Sequence, residues 1–329
     1  MRKLYFLLPG TKGKFGGGGL WAELNTIKLA QNICEVEIVT YRQKEPEYLF
    51  LNDLLSKVER DRCIFVVNWG FDVPKLLLRL KGYHVIYHAH SAGYGFSLPS
   101  DIPIIAVSRN TMGYWGEKAA NSPIYYLPNQ LGTEFYDTQR TRDIDVLVQV
   151  RKSSQYLIQH LIPALQPICQ VEVIDSYVTD LAALFNRSKI YLYDSAEYWQ
   201  VNKVTEGFGL PPLEALACGC NLFSSVNHAL ADYLDPGFNC YKIGCYGLEY
   251  DVKRILQILN SNSKPQLSES FWQEYKAENI THKLQIILEE INFFFDYQTE
   301  IKSPIASLNF WRIKQLQWNK LITKIKNKF

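Results

Sequence analysis

The segment Thr205-Glu-Gly-Phe-Gly-Leu-Pro-Pro-Leu-Glu-Ala-Leu-Ala-Cys-Gly219 holds the residues best arranged for chemistry. Two carboxylates, Glu206 and Glu214, stand with seven residues between them. Pro211 and Pro212 suit the first turn of a helix, where no amide donor is lost. Gly219 suits its C-terminal cap. Gly207, Phe208, Gly209 and Leu210 then present backbone N–H groups at a helix N-terminus, which favours an anion such as a diphosphate. Two acids around an anion site repel phosphate, so Glu206 and Glu214 are better suited to accept hydrogen bonds from sugar hydroxyls. Taken alone, the segment is equally well read as a capped amphipathic helix with a surface Glu.

Other residues could act with it. Lys14-Phe-Gly-Gly-Gly-Gly19 forms a glycine-rich first turn, where backbone can approach a ligand closely. It is neither a phosphate-binding G-x-x-x-x-G-K-[ST] loop nor a clean G-x-G-x-x-G. The second strand ends Val39-Thr40-Tyr41 without the ribose-binding acid of a NAD site. His88-Ala-His90-Ser91 closes another strand, with the two histidines on one face. His88 reads as a core or turn histidine. No His, Cys, Asp or Glu cluster has metal-ligand spacing.

The elements that must position these residues alternate. Strands are expected at Lys3–Leu8, around Val36 and Ile38, and at Cys63–Asn68, Val85–His88, Ile102–Val107 and Ile124–Leu127. Helices are expected at 20–31, 73–81 and 109–118. The polar run Asp137–Asp143 is a linker. Alternation restarts with strands at Asp145–Val150, Val171–Ile174, Ile190–Tyr193 and 221–224. Helices are expected at Gln155–Leu165, Asp180–Asn186, 211–218, 247–260 and 271–297. This is α/β architecture built from two βαβ blocks, whose ligands bind beyond the carboxyl ends of the strands. The expected domains are 1–136, 144–300 and a C-terminal helical tail, 301–329.

Composition narrows the partners. The chain has 329 residues, 47% of them hydrophobic and 21% charged, enough for packed cores and too apolar for a disordered chain. No apolar run approaches membrane-span length, and the basic, apolar start reads as a buried first strand rather than a signal peptide. Of 35 basic residues, seven lie in 301–329, which holds no acid, leaving the body with 28 basic residues against 33 acidic. Such a body is not a nucleic-acid binder. Seven scattered cysteines, with Cys218-Gly-Cys220 too closely spaced for a zinc or redox pair, read as reduced thiols of a cytoplasmic protein.

The context EGFGLPPLEALACG resembles the E-x7-E motif of retaining glycosyltransferases of family 4, which have the GT-B architecture. Asp194-Ser195 is similar to the family's Pro-Ser pair. Ser224-Ser225 and Ala231-Asp-Tyr-Leu-Asp-Pro-Gly-Phe-Asn239 resemble the strand, Glu-bearing helix and turn that follow, with Asp232 where the family has Glu. Pro128-Asn129 resembles the end of the acceptor domain. The resemblance covers 144–260 closely and the first half loosely.

It implies two Rossmann-like domains with parallel sheets facing across a cleft, and a C-terminal helix. It implies transfer of a sugar from a nucleotide-diphosphate donor to a hydroxyl acceptor, a sugar or a lipid-linked sugar in polysaccharide or glycolipid synthesis. Neither cofactor nor metal is implied. Glu206 would contact the donor sugar and Glu214 the ribose. Gly207, Phe208, Gly209 and Leu210 would give amides to the diphosphate. Arg151 fits the family's arginine after the first strand of the second domain. The family's lysine five residues on is Tyr156 here, and Lys152 is the substitute. Gly17 and Gly18 belong to the glycine-rich loop of the acceptor domain, and His90 takes the place of a histidine near the sugar–phosphate junction. The alternatives are a sugar-nucleotide epimerase of the same fold and a non-catalytic sugar-nucleotide-binding subunit.

The tail has helical period, with Trp311, Trp318, Ile322, Ile325 and Phe329 in one stripe. Two destinations are open to it. It is either the last helix that crosses back onto the first domain, or an interfacial helix that uses residues 305–329 to lie on an anionic membrane surface.

Overall fold

The computed structural model describes residues 1–176, 178–243, 246–261, 267–297 and 308–326. Two all-parallel sheets organise the chain. The first holds β1 (Lys3–Leu8), β2 (Val36–Thr40), β3 (Leu49–Phe50), β4 (Cys63–Asn68), β5 (His84–Ala89), β6 (Ile104–Ala106) and β7 (Ile124–Tyr126), in the order β3-β2-β1-β4-β5-β6-β7. The second holds β8 (Ile144–Gln149), β9 (Val171–Ile174), β10 (Ser188–Tyr193), β11 (Asn221–Ser224) and β12 (Tyr241–Lys242), in the order β12-β11-β10-β8-β9. Near-continuous apolar runs such as Lys3–Leu8 and Cys63–Asn68 suit strands buried on both faces, as parallel sheets require.

Around the first sheet lie α1 (Gly18–Gln31), α2 (Leu51–Leu54), α3 (Val73–Arg79) and α4 (Arg109–Lys118). Around the second lie α5 (Ile162–Leu165), α6 (Leu181–Arg187), α7 (Ala196–Asn202), α8 (Leu210–Ala217) and α9 (Leu248–Ser261). The chain then forms α10 (Glu269–Gln273), α11 (Ala277–Tyr297) and α12 (Phe310–Lys326).

Sheet order locates the clefts. In the first sheet the order reverses between β1 and β4, so the loops after these strands open a crevice. In the second it reverses between β8 and β10, whose following loops carry Arg151, Lys152, Asp194 and Ser195. Ser154 joins these two loops, its Oγ donating to Asp194 Oδ2 at 2.6 Å and its amide to the Asp194 carbonyl at 2.9 Å.

Three differences from the sequence expectations have local causes. The helix expected at 155–165 contains a wide turn at Leu157–Leu161. Pro163 follows, lacks an amide, and crowds the turn before it, which widens the spiral. The helix expected at 271–297 is broken in two. Between its halves Tyr275 is buried against Phe208 and Tyr233, and its carbonyl accepts the Leu131 amide at 3.0 Å. The second half, α11, lies after the second sheet in sequence yet packs on the first. Ile280, Leu284, Ile287, Leu288, Ile291 and Phe295 share a core with Leu4, Phe6 and Ile27. The six described cysteines are all free thiols; Cys245 lies outside the described residues.

Candidate active site

Glu206 follows the short α7 and precedes α8, and it is buried. Three donors converge on one oxygen, Oε2: the Tyr193 hydroxyl at 2.5 Å, the Trp199 indole N–H at 2.7 Å and the Ser195 hydroxyl at 3.2 Å. Tyr193 ends β10 and Trp199 sits on α7, so sheet and helix both fix this carboxylate. The Glu206 amide donates to His228 Nδ1 at 3.3 Å, which sets that ring as the Nε2–H tautomer. Burial lowers the His228 pKa, against the pull of Glu206.

Lys152 lies at the end of β8 with a left-handed backbone, φ 69°. Its Nζ stands 4.4 Å over the Trp199 ring, on whose edge Glu206 is bound. Burial lowers the Lys152 pKa and Arg151 adds to this, while Glu206 opposes both. Arg151 is exposed and has no acidic partner among the described residues. Tyr156, at the position of the expected lysine, is turned into the core, where its hydroxyl donates to Asp251 Oδ2 at 2.8 Å. That side chain is therefore turned away from the cleft, and the cations of this loop are Arg151 and Lys152.

Gly209 caps α8 with a left-handed backbone, φ 82°, and Pro211 and Pro212 occupy the first turn. No hydrogen bond among the described residues claims the amides of Gly207, Phe208 or Gly209. Leu210 begins the helix, so its N–H has no partner a turn earlier. The Phe208 side chain is buried against Tyr233 and Tyr275, so only its backbone can serve a ligand. Glu214 lies one turn inside α8 and is partly buried. Burial, with the charge of Glu134, pushes its carboxyl up to about 8. Glu214 is therefore largely protonated at neutral pH, and can donate to a hydroxyl as well as accept from one.

The two domains meet at this site. Ser91 Oγ donates to the Thr205 carbonyl at 2.6 Å, Ala92 N to Thr205 Oγ1 at 2.9 Å, and Thr205 N to the Ala92 carbonyl at 3.1 Å. A Cβ on Gly207 would lie 1.6 Å from the His90 carbonyl oxygen, so only glycine fits there. Asp232, from the second domain, accepts the amide of Arg109 at the start of α4.

His90 is buried, and its Nε2 lies 2.5 Å from Glu23 Oε2. His88 Nδ1 lies 2.7 Å from the same oxygen, and Asn68 Nδ2 donates to Glu23 Oε1 at 3.1 Å. Glu23 is fully buried on α1. Burial alone would raise its pKa, but the charges and hydrogen bonds of His88 and His90 outweigh this and hold it below the carboxylate range. Burial and His88 lower the His90 pKa, against Glu23. Glu23 thus stays ionised and accepts an N–H from each ring.

The sequence showed no metal-spaced cluster because Glu23 lies far from the histidines in the chain; the fold makes one. Its 2.5 and 2.7 Å separations suit charge-assisted hydrogen bonds. Two ligands on one tetrahedral ion stand roughly 3.3 Å apart. Gly17 caps α1 and Gly18 begins it, and a Cβ on either would meet nothing within 4 Å. Gly17 and Gly18 therefore face open space, whereas a Cβ on Gly19 would lie 2.8 Å from Trp69 Nε1.

Residues 146–274 match the family described as Glycosyl transferases group 1. Over 105 residues the chain is 31% identical to the serotype-specific mannosyltransferase WbdA of Escherichia coli, 31% of this chain and 10% of the relative. The chain thus spans about a tenth of the length of the curated relatives it matches. HepE of Anabaena, solved with UDP and glucose, superposes with a TM-score of 0.61 at 14% identity, over 88% of this chain and 100% of that one. A glycosyltransferase from Rickettsia africae gives 0.59 at 11% identity, over 91% and 99%. The fold is GT-B, two parallel-sheet α/β domains with a helical C-terminus.

Proposed function

We propose that this protein is a retaining glycosyltransferase of the family 4 type, using a nucleoside-diphosphate sugar and a hydroxyl acceptor. The observation that carries the reading is the Glu206 carboxylate. It is clamped through one oxygen by Tyr193, Ser195 and Trp199, beside the unclaimed amides of residues 207–209 and the Lys152 ammonium. Such a site can grip sugar hydroxyls and a diphosphate side by side.

In this reading the acceptor oxygen attacks the anomeric carbon on the face the diphosphate leaves. The bond from that carbon to the diphosphate oxygen breaks, and the acceptor proton passes to the departing phosphate. Arg151, Lys152 and the 207–210 amides stabilise the charge that develops on the leaving group. Glu206 orients the donor sugar, Glu214 holds the ribose, and His90, held in place by Glu23, contacts the sugar. Gly17 and Gly18 let the acceptor-domain backbone come close to the bound substrates. UDP bound to HepE and the mannosyl chemistry in the name of WbdA set the first donors to try: a UDP-hexose and a nucleoside-diphosphate mannose.

The test is a transfer assay with these donors and a panel of hydroxylated acceptors, product anomers being read by NMR. The expected product keeps the donor's anomeric configuration. Glu206→Gln should lower kcat by about a hundredfold or more while the melting temperature holds, since removing one preorganised polar contact costs on that order. An inverted product, or full activity in the variant, contradicts the proposal. A donor isomer formed without acceptor would indicate an epimerase instead.

A further inference from the structure

The hydrophobic stripe of α12 was open to two destinations, and the structure fills one of them with a different helix. α11 is the element that crosses back and completes the core of the first domain, through Ile280, Leu284, Ile287, Ile291 and Phe295. α12 has no buried residue: Trp311 is 78% exposed, Trp318 65% and Ile325 50%. Its hydrogen bonds among the described residues are local. Asn309 Oδ1 caps the Arg312 amide at 2.9 Å, and Arg312 Nη1 donates to Gln315 at 2.8 Å.

At 3.6 residues per turn, Phe310, Trp311, Trp318, Leu321, Ile322 and Ile325 fall within an arc of roughly 120°. Arg312, Lys320, Lys324 and Lys326 lie outside that arc, and residues 308–326 contain no acid. Lys314 falls within it, where its long stem allows the ammonium to snorkel.

We infer that α12 lies on an anionic lipid surface. Charge complementarity decides among occupants. Pairing with a second α12 sets like charges together. A nucleic acid has no use for an apolar stripe with two tryptophans. A bilayer interface satisfies both sides at once, taking the aromatic and aliphatic side chains at the acyl boundary and the cations among acidic headgroups. The helix lies in the interface plane rather than crossing it, since no helix among the described residues is long and apolar enough to span a membrane. This inference is independent of the transfer reaction.

The experiment is cosedimentation of the full chain with phosphatidylcholine vesicles, with and without about 30% phosphatidylglycerol. We expect at least about tenfold stronger binding to the anionic vesicles, weakened by raised salt. Lys320→Gln with Lys324→Gln should weaken it about 25-fold, from roughly fivefold per cation. Trp311→Glu with Trp318→Glu should abolish binding and leave the melting temperature unchanged. Equal or absent binding to both vesicle types overturns the inference. So does a fall in melting temperature, which would mean the helix packs on the body, or a change of oligomeric state by light scattering with vesicle binding intact.

Discussion

The His90 carbonyl and the Gly207 backbone touch across the domain boundary so closely that a Cβ on residue 207 would sit 1.6 Å from the oxygen. The contact joins the end of β5 to the loop that carries Glu206, and the Thr205 bonds to Ser91 and Ala92 repeat it within two residues on either side. The two domains are therefore referenced to one another through backbone.

Gly207→Ala should displace this junction. Overpacking costs about 1–3 kcal/mol where neighbours can shift, and here the neighbour is main chain. We expect a lower melting temperature and loss of transfer. Gly17→Ala should leave the melting temperature alone, because its Cβ enters open space, and impair only substrate binding. Calorimetry and the transfer assay together separate the two. Equal effects of both variants on stability would contradict the assignment of Gly17 to a ligand-facing loop.

Glu23 gives a second prediction. Its folded pKa lies below that of an unfolded Glu, so the stability it contributes is present above about pH 4.5 and is lost as pH falls further. Glu23→Gln should flatten the acid limb of the melting curve. Glu23→Ala, which strips a buried charged partner, should cost about 3–5 kcal/mol. An acid limb identical in Glu23→Gln and the native chain would show that the cluster is not ionised as described.

Glu214 has the opposite sign. Its folded pKa, about 8, is raised, so its stabilising share is complete below about pH 4.5 and is lost as pH climbs through 8. Glu214→Gln should match the native melting temperature near pH 4.5 and exceed it increasingly toward pH 9. A constant difference across that range would remove burial as the cause.

Much of this was legible in the chain. The strand Cys63–Asn68 is an apolar run closed by Asn68, and Val171–Ile174 alternates around Glu172; both fold as read. α4 begins at the Ser108 cap, whose side chain accepts the Thr111 amide, and spans the expected residues. Three features were not legible. Glu23 lies inside the helix expected at 20–31 and nothing in its neighbours in the chain singles it out. Its signal was its place on the face of Thr26, Ile27 and Ala30, all buried. Trp199 and His228 lie in segments with no period to mark them, and they matter because the fold folds them onto Glu206. The sequence marks 271–297 as helical, but a helical period carries no information on which sheet the helix packs against.

On the proposed function, the cleft beside Glu206 holds a nucleoside diphosphate through Arg151, Lys152 and the 207–210 amides. The most direct measurement is a thermal-shift panel of UDP, GDP, ADP, CMP and NAD on the native chain and on Arg151→Ala with Lys152→Ala. A ligand that binds only the native state raises the melting temperature by mass action. We predict a clear rise with one nucleoside diphosphate and its loss in the double variant. No rise with any diphosphate, a rise with NAD alone, or a rise unchanged in the variant would contradict the account.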